Sequence, residues 1–165
     1  MLDILEPILT FWRSLYLSFP TGIQGWTLAA FRASVGFLFI LHGYPKLNNL
    51  KLWSDGLKMP IFLCFLSASS MFLGGFCLII GFLTPLAAVA ILVSMLFALY
   101  LEITQGLPFV AIDPYLIPPG EYEGEDGKGE PPSQEKAFVF SMMLILIAVF
   151  GPGIFSIDAW LINFL

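Results

Sequence analysis

Four long apolar segments decide what this chain can become: residues 26–44 (WTLAAFRASVGFLFILHGY), 60–83, 85–101 and 136–150. A bilayer core takes about 20 apolar residues per spanning helix. The first three segments meet or approach that length, and the fourth is short and gains from its flanks. Composition agrees, because 58% hydrophobic and 12% charged residues in a 165-residue chain cannot cover a soluble surface. The pattern predicts an all-α, membrane-embedded, antiparallel four-helix bundle, with residues 1–165 as a single domain. Only a tight turn at Thr84-Pro85 separates the second and third segments, so those helices are expected as antiparallel neighbours.

Residues 2–19 differ from the four spans. Leu5, Ile8, Leu9, Trp12, Leu15, Tyr16 and Phe19 recur at helical spacing, with Asp3, Glu6, Thr10, Arg13, Ser14 and Ser18 opposite. This predicts an N-terminal amphipathic helix lying in the membrane interface or docking on a partner. Residues 102–135 form a long connection whose centre, PPGEYEGEDGKGEPPS, is too polar to build a core. Four crossings place both termini on one side and the long acidic loop on the other. The loop side carries Lys46, Lys51, Lys58, Lys128 and Lys136 against Arg13 and Arg32, so lysine and arginine counting assigns the loop to the cytoplasm.

Several functions are excluded. Net charge is −5 and no basic patch exists, so nucleic acid is not a partner. Cys64 and Cys77 lie 13 residues apart on one predicted helix, about 20 Å, too far for a disulfide. A single histidine, His42, rules out bis-histidine haem ligation within this chain. No metal cage and no intrinsic cofactor are expected. The acidic N-terminus, with Asp3 and Glu6, argues against a cleavable signal peptide.

The charged residues inside the spans carry the most information. Arg32 lies about 9 Å into the first helix, where an unpaired arginine is costly. At about 100° per residue, Gly36, Phe39, Gly43 and Lys46 share its face, and small residues there let a neighbouring helix approach. Gly151-Pro152-Gly153 ends the fourth helix on the side where Arg32 enters, which lets the chain fold back over it. An Arg32–Asp158 ion pair is the expected result. At the opposite end, His42 and Lys46 reach the level of Glu102 and Glu135, and a second polar cluster is expected there. An imidazole near its ordinary pKa suits proton exchange with a bound quinone, and equally suits a hydrogen-bonded bundle histidine. Ser67, Ser69 and Ser70 are read as packing contacts.

Three stretches, FRASVGFLFILHGYPKL (31–47), LGGFCLIIGFLTPLAA (73–88) and EKAFVF…FGPGIFSIDAW (135–160), give the chain its resemblance to the DoxX family of small four-helix membrane proteins. The family pattern falls on Arg32, Gly36, His42, Gly43 and Lys46. It continues through Gly74, Gly75, Gly81 and Thr84 to Glu135, Gly151, Pro152, Gly153, Ser156 and Asp158. Many relatives carry an acidic residue shortly before the paired glycines, where this chain has Ser70-Met71.

The resemblance implies subunits of thiosulfate:quinone oxidoreductases or membrane anchors of thiol-redox and oxidative-stress complexes. With no nucleophile–base pair and no nucleotide loop in view, the expected function is an accessory subunit. It would hold membrane lipid or quinone and meet other membrane protein subunits. A quinone-reducing subunit with His42 and Lys46 at the quinone head, and a small transport or channel protein, stand as alternatives.

Overall fold

The computed structural model describes residues 10, 19–113, 116–117 and 131–164. The described residues are helical, with no strand: α1 (Gly22–Asn48), α2 (Leu50–Leu57), α3 (Ile61–Ile80), α4 (Thr84–Thr104), α5 (Glu135–Phe150) and α6 (Ile157–Phe164). The helix expected over residues 2–19 lies outside the described residues, apart from Thr10 and Phe19, as does the loop centre at 118–130. The chain falls into two compact units, Met1–Ser94 with Met143–Leu165, and Met95–Met142.

Helices α1, α3 and α4 are long and apolar enough to cross a membrane. At 16 residues α5 spans about 24 Å, shorter than a bilayer core requires unaided. Two short helices stand where the sequence suggested connections. α2 follows α1 at the bend around Asn49, and α6 follows the Gly151-Pro152-Gly153 break.

In the first unit α1 packs along α3 through glycine. A Cβ placed on Gly36 would stand 2.5 Å from the Gly75 carbonyl oxygen, and one on Gly75 would stand 2.6 Å from the Gly36 oxygen. Farther along, Gly43 faces the Phe72 backbone and Arg32 lies beside Gly81, so the contacts run in opposite order along the two helices. Any side chain at these glycines would hold the helices apart, which is why small residues serve close membrane packing. Val35, Phe39, Met71, Leu78, Ile91, Leu144 and Ile147 fill the interior.

The outside is as apolar as the inside. Phe62 is 68% exposed, Val93 63%, Leu73 60% and Val149 60%. Monomeric soluble proteins rarely expose contiguous apolar surface on this scale, whereas acyl chains solvate it without penalty.

The polar residues in the spans find local partners. Ser70 donates to the Ser67 carbonyl at 2.8 Å and shares a 3.1 Å hydrogen bond with Ser94, joining α3 to α4. Ser34 and Ser141 return their hydroxyls to the carbonyls of Ala30 and Ala137, four residues back.

Candidate functional site

Two chain breaks meet in the first unit, and each needs a special backbone. α3 stops at Gly81, in the left-handed region at φ 71°, and Leu83 follows at φ 50°. A left-handed leucine is strained, so something must hold it. α5 stops at Gly151 (φ 72°), whose N–H bonds to the Ile147 carbonyl at 2.9 Å, and Gly153 (φ 73°) completes the reversal. α6 then starts with Ser156 as its cap: the hydroxyl donates to Gly153 O at 2.7 Å and accepts from Ala159 N–H at 3.0 Å.

Asp158 and Arg32 tie these breaks together. The Asp158 carboxylate accepts from Leu83 N–H at 2.8 Å and from Thr84 N–H at 2.9 Å, while its own N–H donates to Gly81 O at 2.9 Å. It therefore caps the start of α4 from outside that helix and fixes the left-handed leucine. The Arg32 guanidinium donates from Nη1 to the Pro152 carbonyl and from Nη2 to Phe155 O at 2.9 Å. It lies against Gly81, where a Cβ would come within 2.5 Å of Nη1. Arg32 is 2% exposed and Asp158 5%. Trp26 stacks on Phe155 at 4.0 Å between ring centroids, beside the guanidinium's second acceptor.

The expected ion pair thus takes an indirect form. The two charges interact electrostatically, but no direct hydrogen bond joins guanidinium to carboxylate among the described residues. Each is instead neutralised by backbone dipoles of a chain break. The physical reason is geometric, because the breaks present unpaired carbonyls and N–H groups that must be satisfied in a place without water. Arg32 Nε and Thr84 Oγ1 are buried here without a hydrogen-bond partner.

The residues expected at the other end fall in different units. His42 is exposed, with its ring centroid 6.5 Å from that of Phe39. Lys46 is half-buried, its Nζ 3.5 Å from Met71 Sδ and 4.8 Å from the centroid of the Trp53 ring. Both belong to the first unit. Glu102 and Glu135 belong to the second. Glu102 is half-buried, with Oε2 lacking a hydrogen-bond partner, and Glu135 is exposed at the first turn of α5, where a carboxylate suits the helix dipole.

The model of the DoxX family matches residues 27–102. The chain is similar to that family over this stretch. It is an integral membrane protein, with α1, α3 and α4 as candidate spans. The match covers Arg32, His42, Lys46, Gly36 and Gly43 of α1, Gly74 and Gly75 of α3, and Thr84. The stretch 135–160, with Gly151, Pro152, Gly153, Ser156 and Asp158, lies beyond it. No curated protein and no solved structure gives a significant match to the chain.

Among the described residues no three histidine, cysteine, aspartate or glutamate side chains gather into a metal site. Cys64 and Cys77 are free thiols. Both carboxylate oxygens of Asp158 already accept hydrogen bonds. An open apolar groove of about 400 Å³ runs between the start of α1 and the end of α5, from Ile23 and Thr27 to Leu146 and Phe150.

Sequence reasoning missed the partners more than the charges. Pro152 and Phe155 carbonyls and the Leu83 and Thr84 N–H groups have no side-chain signature. The turn signal at Thr84-Pro85, read as a helix start with orphan N–H groups, was the available clue to Asp158's role. Trp53 beside Lys46 gave no signal, because α2 was not foreseen as a helix.

Proposed function

We propose that this protein is an accessory subunit of a membrane redox or oxidative-stress assembly, holding lipid or quinone rather than catalysing a reaction. Its architecture in this reading is an antiparallel four-helix bundle in which α5, extended by its flanks, forms the fourth crossing. Both termini lie on one side and the acidic loop faces the cytoplasm.

One observation carries the reading: the buried charges Arg32 and Asp158 are both engaged by backbone groups at helix ends, as suits charges that hold the fold together. The apolar groove beside α1 supports it, since its walls offer almost no polar group and so suit an acyl or isoprenoid chain. The similarity to the DoxX family fits a membrane role without specifying one.

Purification of the native assembly in mild detergent, with mass spectrometry of its subunits and lipids, tests the proposal. Co-purifying membrane subunits together with lipid or quinone are the expected result. Isolation as a lone, ligand-free protein contradicts it. Electron transfer to added quinone that is lost on changing His42 would favour the quinone-reducing alternative. Protease access to residues 118–133 from one face settles orientation.

A further inference from the structure

We propose that the bend between α1 and α2 binds the phosphodiester headgroup of an anionic membrane phospholipid, with Lys46 Nζ as the phosphate ligand. The inference deepens the lipid-holding reading above and rests on it.

The first observation is the company Lys46 keeps. An ammonium carries three N–H donors and no acceptor. Here one approaches a thioether, Met71 Sδ at 3.5 Å, and the charge sits 4.8 Å from the centroid of the Trp53 indole. Both are weak partners for a full positive charge. Among the described residues no carboxylate or carbonyl oxygen accepts from Nζ. A half-buried ammonium held only by sulfur and a π-face still lacks its strong acceptor, and an anionic oxygen supplies one.

The second observation is where the bend lies. Lys46 occupies the last turn of α1, a candidate span, so its head stands near the level of lipid phosphates. α2 is built to lie at that level. Leu50, Trp53, Ser54 and Leu57 recur at helical spacing and are buried or half-buried, while Lys51 and Asp55 are exposed one turn apart. Leu52 is 74% exposed, an apolar side chain that acyl chains would cover. Lys58, exposed and left-handed at φ 53°, closes the helix.

Charge selects the headgroup. From residue 44 to residue 60 the chain carries Lys46, Lys51 and Lys58 against Asp55 alone. A local excess of lysine at a membrane surface favours anionic over zwitterionic lipid. Trp53 adds an interfacial aromatic that roofs the ammonium. The arrangement thus supplies a partly sheltered ligand, a rim of like charge and an apolar floor for the acyl chains.

The test uses the full-length protein purified in a neutral detergent. Binding is read by thermal shift and by native mass spectrometry during titration with phosphatidylglycerol, phosphatidylcholine, inorganic phosphate or a short-chain quinone. Phosphatidylglycerol is expected to bind with selectivity over phosphatidylcholine. Lys46→Gln should reduce that selectivity about fivefold, the change expected for one lysine at a membrane surface. Lys46→Arg should retain most of it, and Lys58→Gln should lose less than Lys46→Gln. Unchanged selectivity in Lys46→Gln, equal binding of the two lipids, or reproduction of the effect by inorganic phosphate would each overturn the assignment. Binding of quinone without phosphatidylglycerol would overturn it while sparing the lipid-or-quinone reading. Binding of none of the four would overturn both.

Discussion

Replacing Gly75 by alanine puts the α1–α3 interface to a quantitative test. The new Cβ would sit 2.6 Å from Gly36 O, 2.8 Å from Ile40 Cγ1 and 3.0 Å from Ile40 N. Two of these neighbours are backbone of the facing helix, which cannot rotate away. Ordinary contact would require the helices to separate by about 0.8 Å, starting from that 2.6 Å approach. Overpacking of this kind costs about 1–3 kcal/mol, and the greater helix propensity of alanine offsets up to about 1 kcal/mol. The upper half of the cost range applies because the obstacle is backbone, so a net loss of about 1–2 kcal/mol is expected.

Two other glycines make the comparison internal. At Gly74 the nearest atoms are Ile91 Cδ1 and Cγ1, both at 2.9 Å, in a fully buried side chain that can yield more than backbone can, so Gly74→Ala should destabilise less than Gly75→Ala. At Gly56, within α2, nothing lies within 4 Å, so alanine should stabilise by about 0.5–1 kcal/mol. Melting of the purified proteins in one detergent should rank Gly56→Ala highest, Gly74→Ala between and Gly75→Ala lowest. A Gly75→Ala protein as stable as wild type would refute the glycine-mediated packing of α1 on α3.

Gly81→Ala should be more damaging than Gly75→Ala, at about 3 kcal/mol or more, in the same melts. It would combine a φ of 71° with a Cβ 2.5 Å from both Arg32 Nη1 and Ser156 Cβ. Ser156→Ala removes the α6 cap and should cost about 0.5–2 kcal/mol, read as lower stability with faster hydrogen exchange at Ala159. Ser70→Ala combined with Ser94→Ala should cost less than the two single changes added together, because neither hydroxyl is left beside a vanished partner. Full additivity in the melts would show that the pair does not couple.

Three of the four expected spans were legible as candidate spans because length and apolarity are properties of whole segments. α1 nevertheless extends from Gly22 to Asn48, beyond 26–44 at both ends and through Pro45, since a helix can continue outside its apolar core. α2 and α6 were not legible as helices. At eight residues each, they carry too few periodic positions to distinguish them from a connection. The face carrying Arg32, Gly36, Phe39 and Gly43 was readable from helical angles, and all four are buried. The form of the Arg32–Asp158 site was not readable, because most of its acceptors and donors are main-chain atoms made available by two separate chain breaks. Lys46 was visible as a charge in a span, whereas its neighbours Trp53 and Met71 come from elements the sequence did not bring to it.

The double-mutant cycle of Arg32→Met and Asp158→Asn tests the central structural claim, that the two buried charges act together to hold the helix ends at two chain breaks. Arg32→Met leaves the Pro152 and Phe155 carbonyls without their donor and removes the positive charge that interacts with Asp158. Asp158→Asn removes one of the charge-assisted acceptors for Leu83 and Thr84 and removes the negative charge that interacts with Arg32. Each single change should cost about 2–4 kcal/mol, given the worth of hydrogen bonds to charged groups and the penalty of a buried unpaired charge. The double variant, melted in the same detergent, should be milder than their sum by about 0.5–3 kcal/mol. Additivity within about 0.5 kcal/mol would mean that the two residues stabilise the chain independently, and would contradict the shared site described above.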